Sequence, residues 1–175
     1  MLWAVAAYLQ RKTTRMARPD LGRDDIFVYR PTKQTLKAWD PFWDAQEIFF
    51  VLDQTEVGEG RTEWKVFWVA GVATLRIIGH VLAKVDGSSS AVHKAEINRL
   101  WGEWKDDRAE HTIFWDFIEE ERNNILKTYE FGAQLIEDDD GADIVFSDGD
   151  SAFGKFRDAL YWWRTQLEEL ESKLP

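Results

Sequence analysis

From Trp64 onward, apolar residues return at alternating steps of four and three: Trp64, Trp68, Gly71, Leu75, Ile78, Leu82 and Val85. This is one face of a long amphipathic helix. Gly71 and Gly79 lie on or beside that face. Glycine costs about 1 kcal/mol in a helix interior relative to alanine, so two of them predict close approach of another helix. Asp86-Gly87 ends the segment, and Ser88-Ser89-Ser90 offers N-caps for a helix to about Lys105 with His93, Ile97, Leu100 and Trp104 inward. Asp107 and Glu110 have capping-box spacing and predict a fourth long helix to about Phe131, with Gly132 as its left-handed stop. The last helix carries an unbroken seam of Phe153, Phe156, Leu160, Trp163, Leu167, Leu170 and Leu174.

Ahead of these, Asp40-Pro41 reads as a helix start, with Asp40 as the cap and Phe42, Ile48, Phe49 and Leu52 inward. Residues 17–37 carry Pro19, Gly22 and Pro31 around Ile26–Tyr29, an extended stretch with one short strand. Glu137 to Asp150 reads as an acidic, glycine-containing loop around Ile144-Val145-Phe146. The expected architecture is all-α, an up-and-down helical bundle of four long helices plus shorter pieces. Residues 1–16 form an N-terminal extension or helix, and 17–175 one bundle domain. Met16, followed by Ala-Arg-Pro-Asp, marks a change of character and admits a second reading as the start. The expected core includes Trp64, Trp68, Leu75, Ile78, Leu100, Trp104, Ile118, Ile125, Leu160, Trp163 and Leu167.

Composition supports a packed domain. The 175 residues include ten Trp, eleven Phe and four Tyr, far too much apolar mass for a disordered chain. Cysteine is absent, which removes disulfides, thiolate metal sites and a catalytic thiol, and accords with a cytoplasmic setting. The net charge of −10 repels phosphate backbones, so any nucleic-acid contact needs a local basic site. The opening apolar stretch Leu2–Leu9 is short of the roughly 20 residues a bilayer requires, and its basic residues follow it. No membrane span is expected.

Most catalytic constellations fail on spacing. His80, His93 and His111 lack a Glu three residues earlier, so the Glu-x-x-His pairs of carboxylate-bridged metal bundles are missing. Glu56-x-x-Glu59 and Glu103-x-x-Asp106 match the acidic pairs of helical pyrophosphohydrolases as strings, but the first lies in a glycine-flanked turn. Aligning Gly141 to the glycine of a calcium loop puts Ile136 and Ser147 where Asp and Glu belong. No glycine-rich phosphate loop or nucleophile elbow occurs. Neither a metal nor a cofactor is expected.

One position resists a purely structural reading. Trp115, Ile118, Ile125 and Tyr129 share a helical face with Arg122, and a buried charge is costly unless paired. Three readings stay open: a structural carboxylate partner, snorkelling to the bundle edge, or an anion in a cleft.

The string from Arg122 to Tyr129, Arg-Asn-Asn-Ile-Leu-Lys-Thr-Tyr, resembles the signature of HEPN-domain proteins: Arg, a polar residue, three more, then His, one residue and Tyr. The resemblance implies a helical bundle that dimerises, often as a metal-independent endoribonuclease with paired motifs in one cleft. It implies Arg122 as phosphate binder, Asn123 as its support and Tyr129 as the terminal aromatic. Lys127 stands where the family has His. An ordinary lysine, pKa about 10.4, is protonated at neutral pH and cannot act as the base, although it can hold phosphate. The expectation is therefore a homodimeric protein binding RNA, another phosphate-bearing ligand or a protein partner without catalysis, through Arg122, Asn123, Lys127 and Tyr129. The alternatives are a HEPN-type endoribonuclease and an interaction bundle with no anion site.

Overall fold

The structure, a computed structural model, describes residues 33–175 apart from 56, 59, 139 and 140 and the side chain of Asp138. The N-terminal segment, Met16, the strand expected at Ile26–Tyr29 and the Glu56/Glu59 pair lie outside the described residues. The fold is predominantly α-helical. Its elements are α1 (Trp39–Gln54), α2 (Glu63–Lys84), α3 (Ala91–Asp106), α4 (Glu120–Thr128) and α5 (Ala152–Lys173). A single 3-10 turn, Asp86–Ser88, joins α2 to α3, and a π-helical segment, Ile113–Glu119, runs directly into α4. An antiparallel hairpin, β1 (Gln134–Asp138) and β2 (Gly141–Val145), precedes α5.

α2 lies at the centre and packs on all four other helices. Its inner face, Trp64, Trp68, Val72, Leu75, Ile78 and Leu82, is buried, and every expected core residue joins the same cluster. The two glycines explain the closeness. A Cβ at Gly71 would stand 2.4 Å from the Phe156 ring, and one at Gly79 would stand 2.9 Å from Trp163. α5 thus presses two large rings into notches in α2. Trp104 of α3 completes the layer, with ring centroids 4.8 Å from Trp162 and 5.7 Å from Trp163. Its indole N–H, too deep for water, donates to Gln166 Oε1 at 2.7 Å.

Four local expectations need correction. Asp40 does not cap α1: it sits inside the first turn and pairs with Lys37. The α1 entrance is held from a distance instead, where Asp86 accepts the Lys37 and Ala38 amides at 2.7 and 3.0 Å and Glu171 accepts those of Thr35 and Leu36. His93 is not on the apolar seam: its backbone N–H and its Nδ1 both meet Ser90 Oγ at the start of α3, and the seam begins at Ile97. The fourth long helix is composite. Residues 107–111 form turns, the chain then winds in π geometry, and the helix ends at Tyr129 (φ 57°), with Gly132 outside the left-handed region. The acidic loop is in fact the hairpin, with Leu135 opposite Ile144 and Ile136 opposite Asp143. Its acidic residues are poor strand formers, but Ile144 buries fully in the core and sets the register, and Val145 is buried beside it.

Two predictions follow from the packing. Gly71→Ala should destabilise by about 1–3 kcal/mol through overpacking, whereas Gly102→Ala in open helical space should stabilise by roughly 0.5–1 kcal/mol. Urea melts of the two variants check both signs. Asp86 gives a pH-dependent companion. Burial raises its carboxyl above the ordinary 3.8, partly offset by the Lys37 and Ala38 amides. Its proton is held more tightly in the folded state, so that stabilising share is present below the ordinary value and lost as pH rises through the raised one. Relative to Asp86→Asn, the natural chain should gain stability as pH falls through that window and show no further change well above it.

Candidate functional site

The register of α4 decides which charge is buried. Because the π segment widens the turn before it, the inward line runs Phe114, Phe117, Ile118, Glu121 and Ile125. Glu121, not Arg122, is the charge in the apolar stripe, at 3% exposure. It accepts the Trp68 indole N–H at 2.8 Å and the Gly132 amide at 3.0 Å. Trp115 and Tyr129 misplace the stripe by one residue. Trp115 is half-buried with its indole on the Trp104 carbonyl, and Tyr129 is 70% exposed.

The four expected site residues therefore fall in three places. Arg122 and Asn123 meet each other, with Arg122 Nη1 donating to Asn123 Oδ1 at 2.8 Å. Lys127 is exposed in the last turn of α4. Tyr129, outside the helix in left-handed conformation, packs edge-on against Phe131 with centroids 5.1 Å apart.

Tyr129 leads to a site the sequence reading overlooks. Phe131 stands 6.3 Å from Trp64 at the start of α2, and Lys65 Nζ lies 5.7 Å from both ring centroids. These residues border a cleft of about 330 Å³ between Gly60–Thr62 and the start of β1, lined also by Gly58 and Gln134. Gly60 makes the turn at φ 77°, and Gly58 bridges Arg61. Thr62 provides no side-chain cap to α2, so the positive end of a 22-residue helix lies at this wall, with Glu63 as the carboxylate in its first turn. Lys65 meets no carboxylate among the described residues. The cleft thus combines cations, a helix N-terminus, the buried Trp64 and half-buried Phe131 rings, and the apolar Ala133 and Leu135, with the exposed Tyr129 beside Phe131. Arg61 and Lys65 at i and i+4, flanked by Trp64 and Phe131, were the available sequence signal. It is split across 70 residues of chain, and only folding joins it.

A second cleft of about 440 Å³ lies between the end of α2 and the start of α3, lined by Lys84, Lys94, Ser88 and Ser90. It offers no aromatic ring, and Ser90 already caps the helix there. Elsewhere, Arg76 Nε donates to Glu119 at 2.7 Å beside the Trp101 and Phe114 rings, which ties the π segment to α2. Trp162 Nε1 donates to His111 Nδ1 at 3.1 Å. Among the described residues, no three His, Asp or Glu side chains gather as a metal set would. One helix, α2, is long and apolar enough to cross a membrane, and 39% of its apolar window is buried inside the domain.

The buried carboxylate should be indispensable to the cleft. Glu121→Ala strands the Trp68 N–H and the Gly132 N–H, at a cost on the order of 3 kcal/mol. Denaturant melts should show that loss, and Glu121→Gln should recover part of it by keeping one acceptor. No family model matches the chain, and no curated protein or solved structure is significantly similar to it.

Proposed function

We propose that the protein is a non-catalytic binding module for a phosphate-bearing ligand that carries a planar ring, a nucleotide unit of single-stranded RNA being the chemistry that fits. The observation that carries this reading is Lys65, poised over Trp64 and Phe131 at the mouth of the cleft with no carboxylate partner among the described residues. In a chain of net charge −10, Lys65 brings a positive charge to this wall without an ion pair among the described residues. Phosphate would sit between Lys65 and the α2 N-terminus, where dipole and ammonium act together. A base would stack on the exposed Tyr129 ring, a contact worth about 1–3 kcal/mol and tolerant of sequence. The HEPN-like string keeps a part in this reading through Tyr129, the one member of it that reaches the ring cluster.

Catalysis is not part of the proposal. Ribose activation needs a base near neutral pKa, and Lys127 occupies the position where the related signature has His. Homodimerisation and a cytoplasmic setting remain part of the proposed picture.

The test is a fluorescence titration with a short single-stranded oligoribonucleotide. Lys65→Ala should weaken binding about tenfold, the equivalent of one charge-assisted contact near 1.4 kcal/mol. Tyr129→Ala should weaken it by a comparable factor, and Lys65→Ala should lower the salt dependence by about one ion. Loss of binding in Arg122→Ala with Lys65→Ala unchanged would move the site to the HEPN-like string and overturn the cleft reading. RNA cleavage appearing in Lys127→His would favour the nuclease alternative.

A further inference from the structure

α2 is apolar on the side that faces away from the core as well. Val66 is 69% exposed and Ile77 46%, and Ala70 is exposed between them. Ala73 is half-buried on the same stripe, and Val81, at its edge, is half-buried and packs in part against the core. At 100° per residue, positions 66, 70, 73 and 77 fall within about 60° of arc, so these apolar residues form one patch rather than scattered residues, with the exposed His80 and Lys84 at its C-terminal end. Over the segment from Glu63 to Ser88 the mean hydropathy of the most apolar window is 1.8. A helix needs only one such face to fold into a domain.

We propose that this face is the seam of a two-fold homodimer, in which α2 pairs antiparallel with α2 of a second copy. The face is self-complementary. A two-fold axis beside Ala73 and Thr74 sets position 63 opposite 84, 66 opposite 81 and 70 opposite 77. Glu63 then faces Lys84 of the second copy at both ends of the seam, so each carboxylate meets an ammonium. Ala70 faces Ile77, small against large, which lets the side chains interdigitate, and Val66 faces Val81. A parallel pairing fails each of these matches: like charges meet at both ends and the large residues collide at one level. The antiparallel arrangement also opposes the two helix dipoles. An isologous interface demands such a surface, in which residue i meets j and j meets i. The face is about 33 Å long, from 22 residues at 1.5 Å each, and one helix wide. That is less than the roughly 800 Å² each partner gives a standard interface, so the dimer is reversible and concentration-dependent. The seam uses residues other than those lining the ligand cleft, although both include the first turn of α2, and it differs from the dimer expected around Arg122 and Lys127.

Sedimentation equilibrium of the full chain at high micromolar concentration reads the mass. The expected result is twice 20.5 kDa, reduced to one chain by Ile77→Asp. Glu63→Lys should weaken the dimer, and Glu63→Lys combined with Lys84→Glu should restore it. Because the natural chain has no cysteine, Ala73→Cys supplies a single thiol beside the axis. A short bis-maleimide should link its two copies, while Val92→Cys, away from the seam, should not be linked. This readout stands even if the charged variant folds poorly. A single-chain mass at that concentration overturns the proposal, and so does a dimer untouched by Ile77→Asp. Failure of the charge exchange to restore the dimer overturns the antiparallel register. A chain that is monomeric in solution but floats with phosphatidylcholine vesicles overturns it in favour of a lipid surface.

Discussion

The rest of the structure depends on how near α5 can come to α2. Two glycines set that distance, because the Phe156 and Trp163 rings occupy the space where side chains at 71 and 79 would begin. Once those rings are seated, Phe49 of α1 and Trp68 of α2 close around Phe156 at centroid distances of 5.5 and 6.0 Å. Trp104 and Phe114 close around Trp163. Interiors pack at crystal-like density, so a shift of even one methyl group at the contact would have to propagate through both ring clusters. The penalty of placing glycine in a helix interior is offset by the dispersion and burial these aromatic contacts supply.

A second constraint is the use of carboxylates where a helical protein ordinarily uses local caps. Asp86, Glu171 and Glu121 are each buried, and each accepts N–H groups from distant parts of the chain. Asp86 and Glu171 bind the 35–38 segment to the ends of α2 and α5, and so fix where α1 begins. Glu121 joins the Trp68 indole to the backbone at Gly132, which sets the exit from α4 and carries Phe131 to the cleft. Bonds of this kind are short-range chemically but long-range in sequence. They cost desolvation, which the raised Asp86 carboxyl expresses directly.

That distinction explains what could be read from the sequence. The helical class, the seam of α5, the inner face of α2 and the reason for its glycines all follow from local periodicity, and most residues it selects are buried; Val85, past the end of α2 and 49% exposed, is not, and Phe153 is half-buried. Asp40 was an attractive cap because caps are local; the true acceptors lie 48 or more residues away. The π segment is equally hidden, since a period of three and four assumes uniform α geometry. Ile118 and Ile125 are compatible with either Glu121 or Arg122 between them, and the flanking Trp115 and Tyr129 tip the choice the wrong way. The hairpin escaped because charge outweighs the short apolar run in any window over residues 134–145. The cleft was unreadable for the reason Glu121 was: Trp64 and Lys65 meet Phe131 only across the fold.

The cleft and the outer face of α2 also constrain each other. Trp64 and Lys65 lie in the first turn of α2, so an antiparallel seam carries the two clefts to opposite ends of the paired helices, about 33 Å apart. Paired motifs of the HEPN kind converge on one cleft at the dimer axis. On the proposed α2 seam no such convergence would be available to Lys65, and each cleft would hold its own phosphate and base. Coupling between them then depends on the reach of the ligand. A single nucleotide unit would fill each cleft independently, whereas a strand long enough to span the seam would gain through effective concentration without any new contact. Valency in this protein would be set by the length of the ligand, with a rigid helix pair as the ruler.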